Sequence, residues 1–165
     1  MLQLAEKYQE EVQFAFKPHP VLKFKLLNLW GEKKTEEYYN RWANLSNAQI
    51  EQGDYIDLFK TSDAMIHDCG SFTVEYLYTK KPVLFQIRDE KVKDEFNTFG
   101  QLCFEKHYHA YTIEETETFI REIVINGNDP KADEREQFYM QYLYPKDGVM
   151  PSDKIYTILK TLIGK

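Results

Sequence analysis

Residues 64–87, AMIHDCGSFTVEYLYTKKPVLFQI, decide the fold. Ala64 to Asp68 is a short apolar run that reads as a strand. Cys69-Gly70-Ser71 turns the chain, and Phe72 to Tyr78 reads as a helix that Lys80-Lys81-Pro82 stops. Pro82 to Ile87 is the next strand, with proline at its first position, where the missing N–H costs least. A strand, a short turn, a helix and a second strand imply two parallel neighbours joined by a right-handed crossover.

The same alternation extends outward. Upstream, residues 2–10 end a helix. Val12 to Lys17 is a strand stopped by Pro18-His19-Pro20, and residues 21–30 are expected to be a buried apolar helix ended by Gly31. Residues 35–45 read as a helix with Thr35 as N-cap, Ala48 to Glu51 as a strand, and Tyr55 to Lys60 as a short helix capped by Asp54. Downstream, Arg88 to Phe96 is loop and helix, and Leu102-Cys103-Phe104 reads as a short strand. Thr112 with Glu115 forms a capping box for a helix over 113–125, and two more helices follow over 131–143 and 152–163, the last with Ser152 as N-cap. The expectation is one Rossmann-like, three-layer α/β domain spanning residues 1–165, with a mostly parallel sheet.

Composition narrows the function. The 165 residues include 21 Lys and Arg against 27 Asp and Glu, a net charge of −6, which disfavours bulk electrostatic binding to nucleic acid. No apolar run approaches the roughly 18 residues of a membrane span, and the N-terminus lacks a signal-peptide pattern, so a cytoplasmic location is expected. The cysteines, Cys69 and Cys103, form neither a disulfide framework nor a metal knuckle. Val21 to Trp30, with Lys23 and Lys25, fits either a core helix or a helix lying on the inner face of a membrane; the core is the favoured reading.

In sheets of this kind, ligands sit beyond the carboxyl ends of the strands. That places His19 and the run Asp68 to Ser71 at candidate sites. Free N–H groups at the start of the helix after Ser71 suit a phosphate. Gly70 would let backbone approach it, and the Ser71 hydroxyl can donate to it. Equally, Asp68 or Ser71 can be a plain helix cap and Gly70 a plain turn residue. Glu75, one turn on, can accept from a ribose diol or can pair with Lys80 or Lys81. His19, fixed between two prolines, can donate to a diphosphate or act as general acid, or can simply occupy the turn. His67, His107 and His109 raise the question of a metal, but no matching ligand pattern accompanies them, so none is assigned.

The string from Asp54 to Phe85 resembles the CDP-glycerol glycerophosphotransferase family, the teichoic-acid-type polymerases and primases. Asp54, Leu58, Ser62 and Asp63 match its D-Y-x-x-L-x-x-x-S-D pattern. Asp68, Ser71 and Glu75 match I-x-D-Y-S-S-x-x-F-D/E, and Lys81-Pro82-Val83 matches K-K-P-V. Lys17-Pro18-His19-Pro20 is similar to the K-x-H-P element, and Asp147-Gly148 with Ser152 to the closing D-G-x-A-S segment. The resemblance implies the C-terminal, donor-binding half of a GT-B glycosyltransferase fold that serves cell-surface polymer synthesis. It implies His19 as the catalytic group, Gly70 and Ser71 on the diphosphate of CDP-glycerol, Glu75 on the ribose, and Ser152 as a further phosphate contact. No cofactor is firmly implied, and a divalent cation is compatible. The chain is about half the length such an enzyme needs, so the N-terminal acceptor domain is expected to be missing and this chain alone to be inactive. Two departures stand out. Cys69-Gly70 replaces Tyr-Ser, and Glu75 replaces the usual Asp, which brings the pattern nearer to that of UDP-sugar glycosyltransferases and 2-epimerases. A fold that has lost its ligand and serves as a non-catalytic interaction module is the third reading.

Overall fold

A computed structural model describes residues 1–164. The elements run α1 (Leu2–Lys7), β1 (Phe14–Phe16), α2 (Leu22–Asn44), β2 (Ala48–Ile50), α3 (Ile56–Thr61), β3 (Met65–His67) and α4 (Phe72–Glu75, continued by a tighter turn over Tyr76–Thr79). After them come β4 (Val83–Gln86), α5 (Thr98–Phe104), β5 (Tyr108–Ala110), α6 (Ile113–Thr118, widening over Phe119–Ile125), α7 (Ala132–Phe138, widening over Tyr139–Leu143) and α8 (Pro151–Ile163). Every strand pair is parallel: β1 with β2, β3 with β4, and β4 with β5. The α/β class and parallel pairing agree with the sequence reading. The strands, however, form a two-stranded and a three-stranded sheet rather than one ladder.

The larger sheet has helices on both faces. Val83, Leu84 and Phe85 are almost wholly buried, as a parallel central strand requires. Val83 packs with Tyr76, Leu77, Cys103 and Phe138 on the face of α4, α5 and α7. Leu84, pointing the other way, packs with Ala110 and Phe119 beneath α6. The smaller sheet is covered by α1 and the second half of α2, where Phe16 stacks on Trp42 with ring centroids 4.6 Å apart. Phe14 of β1 and Ile66 of β3 share the cluster around Leu4, Tyr8 and Ile120, which joins the two sheets through side chains.

Four local expectations are corrected. Leu102 to Phe104 is the last turn of α5, not a strand, because the Asn97 side chain accepts from the Gly100 N–H and starts a helix there. Its apolar residues are buried on a helical face, and the strand lies further on, at β5. The segment 21–30 is helical but is not a core helix: Leu26 is buried, whereas Phe24 is 66 % and Leu29 76 % exposed. Gly31 does interrupt it, adopting φ 78°, so α2 is two helical pieces joined by a kink. Thr35 is no N-cap. Its hydroxyl donates back to the Gly31 carbonyl at 2.8 Å, one turn into the second piece. At α8 the N-cap is Met150 with Pro151 at the first helical position, which leaves Ser152 inside the first turn.

Candidate functional site at the carboxyl ends of the strands

The connection from β3 to α4 carries most of the residues singled out. His67 ends β3 and is buried. Its Nδ1 lies 3.0 Å from the Cys69 carbonyl and 3.3 Å from the Cys69 N–H, which holds the start of the turn. Burial pushes the His67 imidazole down to about 4, against the opposing influence of the Cys69 carbonyl and Asp68. His107, on the approach to β5, is fully buried, and its ring centroid is 5.3 Å from that of His67. Its Nδ1 is 2.9 Å from the Cys103 carbonyl, and desolvation pushes it down to about 3. His109 sits apart, stacked on Phe104 and bonded to that residue's carbonyl. Among the described residues no three His, Cys, Asp or Glu side chains gather as metal ligands.

Gly70 sits in the turn as its plain reading has it, whereas among the described residues neither Asp68 nor Ser71 caps the helix and Glu75 pairs with neither Lys80 nor Lys81. Ser71 stands at the N-cap of α4, yet its side chain caps nothing. Asp68 does not cap either; its carboxylate pairs with Arg88. Gly70 has no positive φ, so the turn does not demand glycine. A Cβ added there would meet the Phe96 ring at 3.5 Å, an ordinary contact. Glu75 is exposed, while Lys80 pairs with Glu136, and the Lys81 amine donates to the carbonyls of Lys60 and Ser62 at the end of α3. Lys81 therefore locks α3 to the start of β4.

Glu75 faces α3 instead. It lines a groove of about 550 Å³ with Tyr55, Phe59, Tyr78 and Lys60, and hydrogen bonding of the Tyr55 hydroxyl to its carboxylate raises the pKa of that phenol. Tyr55, Phe59 and Phe72 form a triangle of rings with centroids 5.0–5.1 Å apart, which seats α4 on α3. The N-cap of α3 is Tyr55 and carries no side-chain cap, so the expected cap at Asp54 is not formed; the Asp54 carboxylate instead accepts from the N–H groups of Tyr55 and Ile56. Just before it, the Gly53 carbonyl accepts from Lys17, the first residue after β1. These contacts carry the end of β1 round to α4. His19, two residues past Lys17, is exposed, and its Nδ1 accepts from the Val21 N–H at 3.3 Å. Ser152 is not brought into this cluster: it lies on α8, a helix with no buried residue.

Sequence reasoning passed over one residue here. Arg88 entered only as the first residue of the loop-and-helix segment after β4, although a cation immediately after a strand that neighbours an Asp-ended strand is a readable signal. The closeness of His67 to His107 had no signal, since 40 residues separate them.

The model of the family described as CDP-Glycerol:Poly(glycerophosphate) glycerophosphotransferase matches residues 1–160. The chain belongs to this family. As a member of the CDP-glycerol:poly(glycerophosphate) glycerophosphotransferases it is of transferase type. Comparison with curated proteins and with solved structures finds no match.

Proposed function

We propose that this glycerophosphotransferase-family chain is the donor-binding half of a GT-B-type transferase, and that its donor is CDP-glycerol. The observation that carries the reading is the unspent chemistry at the β3–α4 turn. The Ser71 hydroxyl caps nothing, Gly70 is not required by the backbone, and Glu75 is exposed with the Tyr55 hydroxyl as its neighbour and partner, a bond a ribose hydroxyl can replace. Here Gly70 and Ser71 meet the diphosphate, Glu75 accepts from the ribose hydroxyls, and His19 offers Nε2 to the leaving phosphate, since its Nδ1 already serves the turn. Ser152 is a more remote phosphate contact, on a helix that would have to close over the site. A divalent cation is compatible with the diphosphate.

The reaction is an in-line displacement. An acceptor hydroxyl attacks the β-phosphorus, a new oxygen–phosphorus bond forms, and the bridging bond to the α-phosphate breaks. CMP leaves, its developing charge met by His19 and by the N–H groups of the turn. The acceptor's proton passes to a base on the acceptor side, which belongs to an N-terminal domain of the intact enzyme, so this chain binds without turnover. Exposed Val21, Phe24 and Leu29, with Lys25 beside them, support contact with the inner face of the membrane where a surface polymer would grow.

Isothermal titration of CDP-glycerol, CMP, UDP and UMP tests the donor. Preference for the cytidine ligands is expected, and equal or reversed preference overturns it in favour of a UDP-sugar. His19→Ala should weaken CDP-glycerol and CMP alike, since both carry the phosphate that Nε2 meets, and should leave the affinity for cytidine unchanged. Thermal unfolding that no nucleotide shifts at millimolar levels would point to an interaction module instead.

A further inference from the structure

We propose that Arg88, which pairs with Asp68, is the cation that takes the diphosphate, exchanging the Asp68 carboxylate for phosphate oxygens when the donor binds. The inference rests on the diphosphate reading of the β3–α4 turn and adds to it the group that neutralises the ligand.

The sheet register places the residue. His67 of β3 is level with Phe85 of β4, an offset of 18 residues. The ends of β3 and β4 are therefore neighbours, and the Arg88–Asp68 pair sets the guanidinium at the start of the turn, two residues before Gly70. A second observation puts the same loop over the turn: a Cβ on Gly70 would lie 3.5 Å from the ring of Phe96, at the far end of the segment that Arg88 begins. The loop after β4 thus brackets the turn, with Arg88 at one end and Phe96 at the other.

The electrostatics require such a group. A diphosphate arriving at Gly70 and Ser71 meets the Asp68 carboxylate two residues away, and like charges at close range repel. Lys17 is engaged with the Gly53 carbonyl, and Lys93 pairs with Glu105. Among the described residues Arg88 has one ionic partner, Asp68, and 82 % of its side chain is exposed. Exposed pairs of this kind contribute little to stability, so the guanidinium can leave Asp68 at small cost. Its planar fork then matches two phosphate oxygens at once, which an ammonium cannot do.

The test measures binding of CDP, and of inorganic pyrophosphate, to the 165-residue chain and to Arg88→Ala, Asp68→Asn and the double variant, with thermal unfolding as the folding control. Arg88→Ala should weaken both ligands at least tenfold without lowering the melting temperature, and should flatten the salt dependence of binding. Asp68→Asn should tighten both, because it frees Arg88 and removes the repulsion. The double variant should stay weak. Recovery of wild-type affinity in the double variant would show that Arg88 only screens Asp68, and overturns the proposal, as does unaltered affinity in Arg88→Ala. Pyrophosphate binding that depends on Arg88, in a chain indifferent to CDP, would sustain the role of Arg88 while removing the nucleotide reading. Binding of neither ligand removes both.

Discussion

His67 and His107 are neutral bases held in the protein interior, and that makes the fold acid-sensitive. Each has a folded pKa below the ordinary value of 6.5, at about 4 and about 3. Above pH 6.5 neither state binds a proton at these residues, and their contribution to stability is at its full value. As the pH falls below 6.5, the unfolded chain takes up protons that the folded chain refuses, and stability drops until the folded pKa values are passed. The slope is up to about 1.4 kcal/mol per pH unit for each histidine. The melting temperature is therefore expected to fall steadily from pH 6.5 to pH 4, and His107→Gln should flatten that fall. A melting temperature unchanged across the window would show that the imidazoles are not held neutral. At Gly70, where no positive φ and no tight contact demands glycine, Gly70→Ser should change the unfolding free energy by less than about 0.5 kcal/mol in urea denaturation. It also restores the second hydroxyl of the family motif, so CDP titration should show tighter binding. The residue types at this site were legible from the sequence, because Asp, Gly, Ser and Glu at the end of a strand match both a motif and a chemistry. Their freedom from capping duty was not, because whether a hydroxyl or carboxylate is already engaged depends on where neighbouring chains run.

Elements differ in how strongly their own residues specify them. The Thr112 hydroxyl accepts from the Glu115 N–H, while the Glu115 carboxylate accepts from the Thr112 N–H, as the four-residue pattern predicts. Thr112→Ala should cost about 1 kcal/mol in chemical denaturation. β4 was equally plain, since a proline-headed apolar run buried on both faces has few other readings. Leu102 to Phe104 misled for the opposite reason. Three apolar residues fit a strand or one turn of a buried helix, and only the Asn97 cap and the packing of Cys103 against Tyr76 and Val83 decide between them. Asp129 shows a role no local pattern could announce. Its carboxylate pairs with the wholly buried Arg135 and accepts from the Tyr108 hydroxyl at 2.7 Å. Asp129→Ala leaves a buried guanidinium uncompensated, and equilibrium unfolding should show a loss of about 3–5 kcal/mol.

At the scale of the whole molecule, the apolar surface is unevenly spent. The α8 helix has Ile155, Ile158, Leu159 and Leu162 along one stripe, all exposed, and no buried residue. Leu159→Glu should accordingly change stability by less than about 0.5 kcal/mol, a result that urea unfolding can check. Ligand binding should be visible at the same scale: a nucleotide at a hundred times its dissociation constant adds about 2.7 kcal/mol to the folded state. The sequence by itself determined the α/β class, the parallel pairing and the family, because these follow from the alternation of apolar runs with capped helices and from motifs written in consecutive residues. Only the tertiary structure decided that 21–30 lies outside the core and that the rings of His67 and His107, 40 residues apart, meet in the interior. Those facts depend on which surfaces remain uncovered and which strand ends become neighbours once the sheet has formed, and side-chain order along the chain holds no record of either.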